Sequence, residues 1–326
     1  MSIDHTEILG MLKSHEPKRE LSAGIQHRQD LIRKIMDVQN PGKTKDLITI
    51  VQYFKGLTNL DENDLKTKYN ILKFEELKST YPDFKFRLED GDIHAELWSY
   101  KGKTLPEYPP GLESLSIFDC ENLEALPEFP PGLESLYIES CRNLEAIREY
   151  PPGLESLTIM DCENLEALRD FPPGLESLSI WDCENLEALP EFPPGLESLS
   201  ISDCRNLEAI PNFPSGLKGL KIKYCPNLGS IPDFPSGLKD LTFRDCKNLG
   251  SIPEFPPGLE SLRFINFPNL GSIPDFPSGL KDLRVWDCKN LESIAEFPPS
   301  LESLSIIDCP NLTQETLDRI EEFKKK

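Results

Sequence analysis

The sequence from residue 105 onward repeats itself every 21 residues. Ten copies begin at residues 105, 126, 147, 168, 189, 210, 231, 252, 273 and 294, and together they occupy residues 105–312. One copy offers too few apolar side chains to offset the entropy of ordering its backbone, so neighbouring copies must stack and share a core. The period therefore restricts most of this chain to an elongated array of stacked coils.

Each copy places its apolar residues at fixed positions. The first copy reads LPEYPPGLESLSIFDCENLEA, in which Leu115 and Ile117 alternate with Ser114, Ser116 and Phe118, as the two faces of a short strand do. The preceding Pro-Pro-Gly excludes a helix on the return path, because proline lacks the amide hydrogen that a helix interior needs. Ten such coils predict a parallel sheet with an inward apolar face and an extended back.

The spacing Leu-x-x-Leu-x-Ile-x-x-Cys-x-x-Leu resembles the leucine-rich repeat. In the first copy it is carried by Leu112, Leu115, Ile117, Cys120 and Leu123. The resemblance implies a solenoid with its parallel sheet on the concave face and a helix-free convex side. The back segments 126–131 (LPEFPP) and 231–235 (IPDFP) are similar to the Leu-Pro-x-Leu-Pro segment of the bacterial leucine-rich-repeat effectors of the YopM and IpaH type.

Residues 1–104 differ from the repeats in charge and in pattern. They carry 17 basic and 17 acidic side chains, whereas residues 105–326 carry 18 basic and 39 acidic ones. Apolar residues at spacings of three and four predict a helical N-terminal domain over residues 1–83. Alternating apolar residues around Asp90-Gly91 predict a β-type cap or a degenerate repeat over residues 84–104.

The final segment, residues 313–326, predicts a capping helix. Thr313 is a candidate N-cap, and lysines follow at the C-terminal end, where the helix dipole favours positive charge. Leu317, Ile320 and Phe323 predict its apolar stripe. The fold class is therefore α+β, with ten leucine-rich repeats between an N-terminal helical domain and a C-terminal helix.

Nine cysteines occupy one repeat position, and Phe267 takes that position in the eighth copy. A disulfide framework would need mixed spacings, and a zinc site would need close pairs such as Cys-x-x-Cys. A phenyl ring replaces neither a ligand nor a bridge, so we interpret the position as buried packing. Nine unpaired thiols also predict a reducing cytosol as the working compartment. The cysteines are Cys120, Cys141, Cys162, Cys183, Cys204, Cys225, Cys246, Cys288 and Cys309.

Composition and motifs argue against several functional classes. A net charge of −21 disfavours nucleic acid, which proteins bind through clustered Lys and Arg. No stretch approaches the roughly 20 apolar residues of a membrane span, and the first residues lack the apolar core of a cleaved signal peptide. No phosphate-binding glycine loop, metal-ligand pair or cysteine nucleophile occurs in residues 1–104. We therefore predict no cofactor, no metal and no enzymatic activity.

The ten copies differ most at the two outward positions that flank the inward Ile. Because strands stack in register, these positions predict two patches on the sheet face. The aromatic patch, on the N-terminal half, comprises Phe118, Tyr137, Met160 and Trp181. The basic patch, on the C-terminal half, comprises Lys221, Lys223, Arg244, Arg263, Arg284 and Trp286. Aromatic and arginine side chains are typical of binding hot spots, and the cations favour a protein partner with an acidic surface.

Two other interpretations of these patches remain open. In one of them, the outward positions vary freely, and the cations merely offset the negative charges of Asp182, Asp203, Asp245 and Asp287. In the other, bases stack on Trp286 while phosphates bind the arginines, which the surrounding acidity disfavours.

The resemblance to the bacterial effectors implies a non-enzymatic virulence adaptor that is secreted without a cleaved signal peptide and acts in the host cytoplasm. The sequence departs from that family by placing Cys where the family places Asn, and by ending at Lys326 without the ubiquitin-ligase domain of the IpaH branch. Three alternatives stand beside it. They are substrate recognition for a ubiquitin ligase, an enzyme acting through residues 1–104, and a ligand-sensing repeat protein similar to plant immune receptors.

Overall fold

A computed structural model describes residues 77–89, 92–105, 108–109 and 111–325. The chain divides into two compact units, Met1–His94 and Ala95–Lys326. The predicted helical domain lies outside the described residues except for 77–83, of which 77–80 are helical. The division falls ten residues before Thr104, because residues 95–104 join the repeat ladder: the Ser99 amide donates to Phe118 O at 2.9 Å, and Thr104 bridges Ala125.

Every repeat contributes one strand of five residues, and a hairpin-like pair of strands precedes them. The strands are β1 (Phe84–Glu89), β2 (Asp92–Trp98), β3 (Ser114–Phe118), β4 (Ser135–Glu139), β5 (Ala146–Ile147), β6 (Ser156–Met160), β7 (Ala167–Leu168), β8 (Ser177–Trp181), β9 (Ser198–Ser202), β10 (Gly219–Lys223), β11 (Asp240–Arg244), β12 (Ser261–Ile265), β13 (Asp282–Trp286) and β14 (Ser303–Ile307). The structure thus places strands around Asp90-Gly91.

Among the described residues the main sheet has twelve strands, in the order β1-β2-β3-β4-β6-β8-β9-β10-β11-β12-β13-β14. From β3 to β14 all neighbours are parallel, and each residue pairs with the residue 21 positions later, as Leu115 does with Leu136. β5 and β7 form a small parallel sheet elsewhere on the coil. Equivalent positions therefore form straight rows across the repeats.

The core consists of such rows. In the first copy Leu112, Leu115, Ile117 and Leu123 are fully buried, and the corresponding residues of the next eight copies are buried in the same way. Burying one such side chain contributes roughly 1.5–3 kcal/mol, which a single coil cannot accumulate but a stack can. The core runs continuously along the array and thins at its end, where Leu304 and Ile306 of β14 are only half-buried.

The cysteine row confirms the packing interpretation. All nine thiols are free and buried, and Phe267 in the same position is 1% exposed. Each described thiol sits under the end of its strand, as Cys183 does, whose Sγ donates to Trp181 O at 3.5 Å. The row therefore fills the core.

A ladder of phenyl rings fills the back of the coils and indicates how the array bends. Consecutive rings from Phe171 to Phe276 stack with centroids 6.3 Å apart and interplanar angles of 6–13°. Phe243 and Phe264, which point inward from adjacent strands, stack at 5.9 Å. Strand backbones lie only about 4.8 Å apart. The spacing widens from sheet to back, which places the sheet on the concave side of the array.

The last element is helix α1 (Gln314–Lys324). Thr313 is its N-cap, and its hydroxyl accepts a hydrogen bond from the Thr316 amide at 3.4 Å. The predicted stripe was wrong at Leu317, which is 41% exposed. Ile320 is buried as predicted, Phe323 packs edge-on against Phe297, and Thr316 is buried in place of Leu317.

The error has a simple cause in helix geometry. Positions 316, 320 and 323 follow spacings of four and three and share one face, whereas Leu317 lies about 100° around the helix from Thr316. Thr316 tolerates burial because Arg319 Nη2 donates to its hydroxyl at 3.2 Å. Within the described part of the chain, no helix has the length and apolar character to span a bilayer.

Candidate protein-binding face

The outward positions of the strands form the exposed face of the sheet, and all ten predicted site residues lie on it. The aromatic patch lies on strands β3, β4, β6 and β8, where Tyr137 is the central residue of its strand and Phe118, Met160 and Trp181 are the last residues of theirs. The other six residues lie on β10 to β13. The parallel register brings neighbouring members together, as it does for Met160 with Trp181 and Lys223 with Arg244.

The aromatic patch continues one strand beyond its predicted limit. Trp98 at the end of β2 stacks on Phe118 with centroids 4.2 Å apart, and Phe118 contacts Tyr137 at 5.3 Å. The Trp98 indole is 43% exposed. The sequence did not predict Trp98 because its coil is one residue shorter: Ser99, the first residue with the repeat's positive φ, precedes Asp119 by 20 positions rather than 21.

Tyr137 anchors the middle of the aromatic patch. Its hydroxyl donates to Glu139 Oε2 at 2.7 Å and lies 3.9 Å from Met160 Sδ. Burial raises the pKa of Tyr137 to about 12, and the hydrogen bond to Glu139 adds to this shift. The hydroxyl therefore stays protonated at physiological pH and holds its hydrogen bond to Glu139, which suits a contact surface.

Ion pairs divide the basic patch into a neutralised and an unneutralised part. Arg263 Nη2 lies 2.9 Å from Asp282 Oδ2, and Arg284 Nε lies 3.3 Å from Asp282 Oδ1. Burial alone would raise the pKa of Asp282, but hydrogen bonds from Ser303 and Arg263 and the charge of Arg284 outweigh it and hold that pKa below its usual value. Asp282, at the start of β13, is thus the main counterion of two arginines.

The unneutralised part is Lys221 and Lys223 on β10. Neither lysine forms an ion pair with any residue in the described ranges. Their repeat, residues 210–230, contains three lysines and no acidic residue. Arg244 on the next strand pairs with its neighbour Asp245 at 3.3 Å. Of the four aspartates that could offset the cations, only Asp245 forms a described ion pair with a member of the basic patch.

Trp286 lies apart from the lysines. Its register neighbours in the row are Ile265 and Ile307, and Ile307 is 48% exposed. Its indole N–H donates to Ser305 Oγ at 3.0 Å. Trp286 therefore lies at the apolar end of the row that contains Lys223 and Arg244, two strands beyond Arg244.

The net charge changes sharply along the array. Residues 105–209 carry 23 acidic and 4 basic side chains, whereas residues 210–293 carry 9 acidic and 10 basic ones. The basic patch therefore lies on the half of the array where little other charge opposes it. Among the residues that the structure describes, no group of His, Cys, Asp and Glu side chains is arranged to hold a metal ion.

Neither a family model nor a curated protein matches the sequence. Solved structures do match. YopM from Yersinia enterocolitica WA-314 is 20% identical, over 83% of this chain and 76% of that one, with a TM-score of 0.31. The leucine-rich repeat domain of the type III effector XopL is 18% identical, over 91% and 98%, with a TM-score of 0.42. YopM from Yersinia pestis is 19% identical, over 89% and 96%, with a TM-score of 0.26.

Identities of this size concern the fold alone. The fold itself rests on features of this chain, namely ten copies of one 21-residue unit, a parallel sheet in constant register, and buried rows of Leu, Ile and Cys. These features give the chain a leucine-rich-repeat fold, and the solved structures that it is similar to are bacterial leucine-rich-repeat effectors.

Proposed function

We propose that this chain is a non-enzymatic binding module that holds an acidic partner protein on the exposed face of its repeat sheet. One observation carries the proposal: Lys221 and Lys223 stand unneutralised on that face, in a protein whose net charge is −21. The many anions of this protein repel one another. A pair of cations without counterions on a rigid sheet, in contrast, attracts a complementary acidic surface.

The aromatic patch is further support for binding through this face of the sheet. Trp98 and Trp181 are among the most exposed large apolar side chains of the described residues, and both project from strand ends. Tryptophan supplies a large contact area at a small cost in side-chain entropy, which is why it recurs in binding hot spots. A partner that covers both patches would combine apolar contact with charge complementarity.

Site-specific photocrosslinking tests which face binds. Benzoylphenylalanine replaces Ser200 on the sheet face in one variant and Ser236 on the back in another, and crosslinked partners from a cell lysate are identified by mass spectrometry. We expect crosslinks from the Ser200 position, and we expect Lys221→Glu with Lys223→Glu to reduce them at least fivefold.

The matched control reverses the same number of charges on exposed loop residues away from the face, as Lys247→Glu with Lys289→Glu. Thermal unfolding checks that both double variants remain folded. Equal crosslinking from the two faces, or an equal loss with the control variant, would contradict binding through the sheet face.

We also propose that the protein is a virulence effector that works in the cytoplasm of a host cell. The Leu-Pro-x-Phe-Pro back segments support this, as do nine buried free thiols, which suit a reducing compartment.

A further inference from the structure

A row of four residues crosses the middle of the array where the two patches meet. Trp181 on β8, Ser202 on β9, Lys223 on β10 and Arg244 on β11 are direct register partners. We call them the Trp181 row. The row runs from an exposed aromatic ring through one small residue to two cations. This order occurs once on the described sheet face.

The indole of Trp181 is open to a ligand. It is 39% exposed, and its N–H donates to Ser200 Oγ on β9 at 3.2 Å, so the ring leans towards the lysines. All three outward residues of β9 are serines, Ser198, Ser200 and Ser202. The ring therefore overlooks a floor of short hydroxyl side chains that leaves its surface uncovered.

The lysine at the cationic end of the row is equally open. Gly219 begins β10, and a Cβ added there would meet no atom within 4 Å. Lys221 and Lys223 follow on the same face without an ion pair in the described part of the chain. The acids nearest to Lys223 in the register are Asp203 and Asp245, one residue beyond Ser202 and Arg244. Asp203 donates its backbone amide to Lys223 O and Asp245 pairs with Arg244, and neither carboxylate forms a described ion pair with Lys223.

Tyr224 is the feature that sets this repeat apart. It has φ 52°, a left-handed conformation in which the other repeats place Asp, Ser or Asn. A bulky residue there is unusual, since Cβ crowds the following carbonyl, and such strain is typical of functional positions. The guanidinium of Arg244 lies 5.0 Å over the Tyr224 ring. Tyr224 thus replaces a carboxylate beside the lysines with a ring that positions Arg244.

We propose, on the basis of the proposed function, that the Trp181 row binds an extended peptide segment in which an apolar or aromatic residue is followed two or three positions later by acidic residues. Trp181 and Lys223 are two strands, or about 9.6 Å, apart, and an extended peptide rises about 3.3 Å per residue. This separation corresponds to three residues, and the lean of the indole shortens it towards two.

The chemistry of each contact follows from the residue types. The indole stacks on an apolar or aromatic side chain. Lys223 acts as a point charge. Arg244 pairs with Asp245 through Nε, and its two Nη groups are left to donate two hydrogen bonds to a carboxylate or phosphate. Aspartate, glutamate and phosphoserine share this chemistry, and the binding experiment distinguishes them.

Fluorescence anisotropy with defined peptides tests the row. The probe is a fluorescein-labelled peptide, Gly-Phe-Gly-Gly-Glu-Glu-amide, in which the first Glu follows Phe by three positions. Three further peptides are compared with it: one has four more glycines between Phe and the first Glu, one has Gln in place of both Glu, and one has phosphoserine in place of the first Glu. We expect the long spacer and the Gln peptide to bind at least fivefold more weakly, and the tighter of the Glu and phosphoserine arms identifies the anion.

Variants of the full chain locate the site. Trp181→Ala and Lys223→Glu should each weaken binding of the probe about tenfold. Ile307→Ala is the matched control, because Ile307 is an exposed apolar side chain at the same outward position of its strand and its register neighbour is apolar. Lys289→Glu controls for net charge, and both controls should leave binding within twofold.

Tyr224→Asp separates binding from stability. Aspartate suits the left-handed conformation, so the melting temperature should hold or rise, while the new carboxylate beside Lys223 weakens the probe at least fivefold. Equal affinity for the short-spacer and long-spacer peptides, or an equal loss of affinity in the Ile307 and Lys289 variants, would overturn the proposal even if Ser200 crosslinks a partner. Loss of crosslinking from Ser200 with intact peptide binding would overturn the proposed function and leave the row in place.

Discussion

The cysteine position shows how one residue type serves a stacked core. Cys183 is fully buried, and burial raises the pKa of its thiol to about 12, so the group stays neutral at physiological pH. The Sγ is small enough to fit under the strand end and still donates to Trp181 O. The repeat therefore uses cysteine as a compact apolar residue with one weak donor.

Replacing this thiol by a hydroxyl tests that role. Cys183→Ser should lower the free energy of unfolding by roughly 1–3 kcal/mol, because a hydroxyl is costlier than a thiol to remove from water and reaches the carbonyl less well. Urea-induced unfolding followed by circular dichroism measures the change. Cys309→Ser in the last repeat, where the thiol is 9% exposed, should have a smaller effect. An unchanged free energy of unfolding in the Cys183→Ser variant would argue against the packing role.

At the scale of the element, helix α1 closes the back of the last coil. Ile320 is buried, Phe323 contacts Phe297, and Arg319 Nη2 donates to Ile294 O at 2.7 Å. The strand side of that coil remains more open, since Leu304 and Ile306 are half-buried where their counterparts in other repeats are fully buried. The helix thus covers one side of the terminal core.

The two apolar residues of the helix should differ in their effect on stability. Ile320→Ala should cost about 2 kcal/mol or more through lost packing, whereas Leu317→Ala should stay within about 0.5 kcal/mol. Hydrogen exchange of residues 294–325 and urea unfolding measure both. Equal destabilisation by the two variants would indicate that Leu317 packs against the last coil as Ile320 does.

The sequence predicted the elements wherever the period held, and it failed where the period changed or where burial and ion pairing depended on hydrogen bonds between side chains. Strand register followed from 21-residue spacing, because equal coils place equivalent residues side by side. Trp98 was missed because its coil is one residue shorter. Leu317 was misassigned because hydrophobicity alone ranks Leu above Thr316, whose burial depends on hydrogen bonds that a sequence does not display. Asp282 was not recognised as a counterion because it begins its strand, away from the loop aspartates considered.

At the scale of the whole molecule, the repeat array is strongly polarised in charge. Residues 105–209 hold 23 acidic against 4 basic side chains, while residues 210–293 are nearly balanced. In a repeat protein each coil contacts only its neighbours, so repulsion among the acidic coils weakens them locally rather than throughout the array.

Salt should therefore stabilise the two halves unequally. Raising NaCl from 20 to 500 mM shortens the screening length to a few ångströms and relieves repulsion among the carboxylates. Hydrogen exchange measured by mass spectrometry should show increased protection across residues 105–209 and little change across 210–293. Uniform protection of both halves would indicate a general salt effect instead of relief of local repulsion.

The widening from the sheet to the phenyl ladder also limits the shape of a partner. A spacing of about 4.8 Å at the strands and 6.3 Å at the rings, across a layer about 10 Å deep, corresponds to a radius of curvature of about 30 Å at the sheet. Ten strands then span about a quarter of a circle. A rounded protein surface of similar radius can touch the aromatic patch and Lys223 together, whereas a flat surface meets only the rims of the arc.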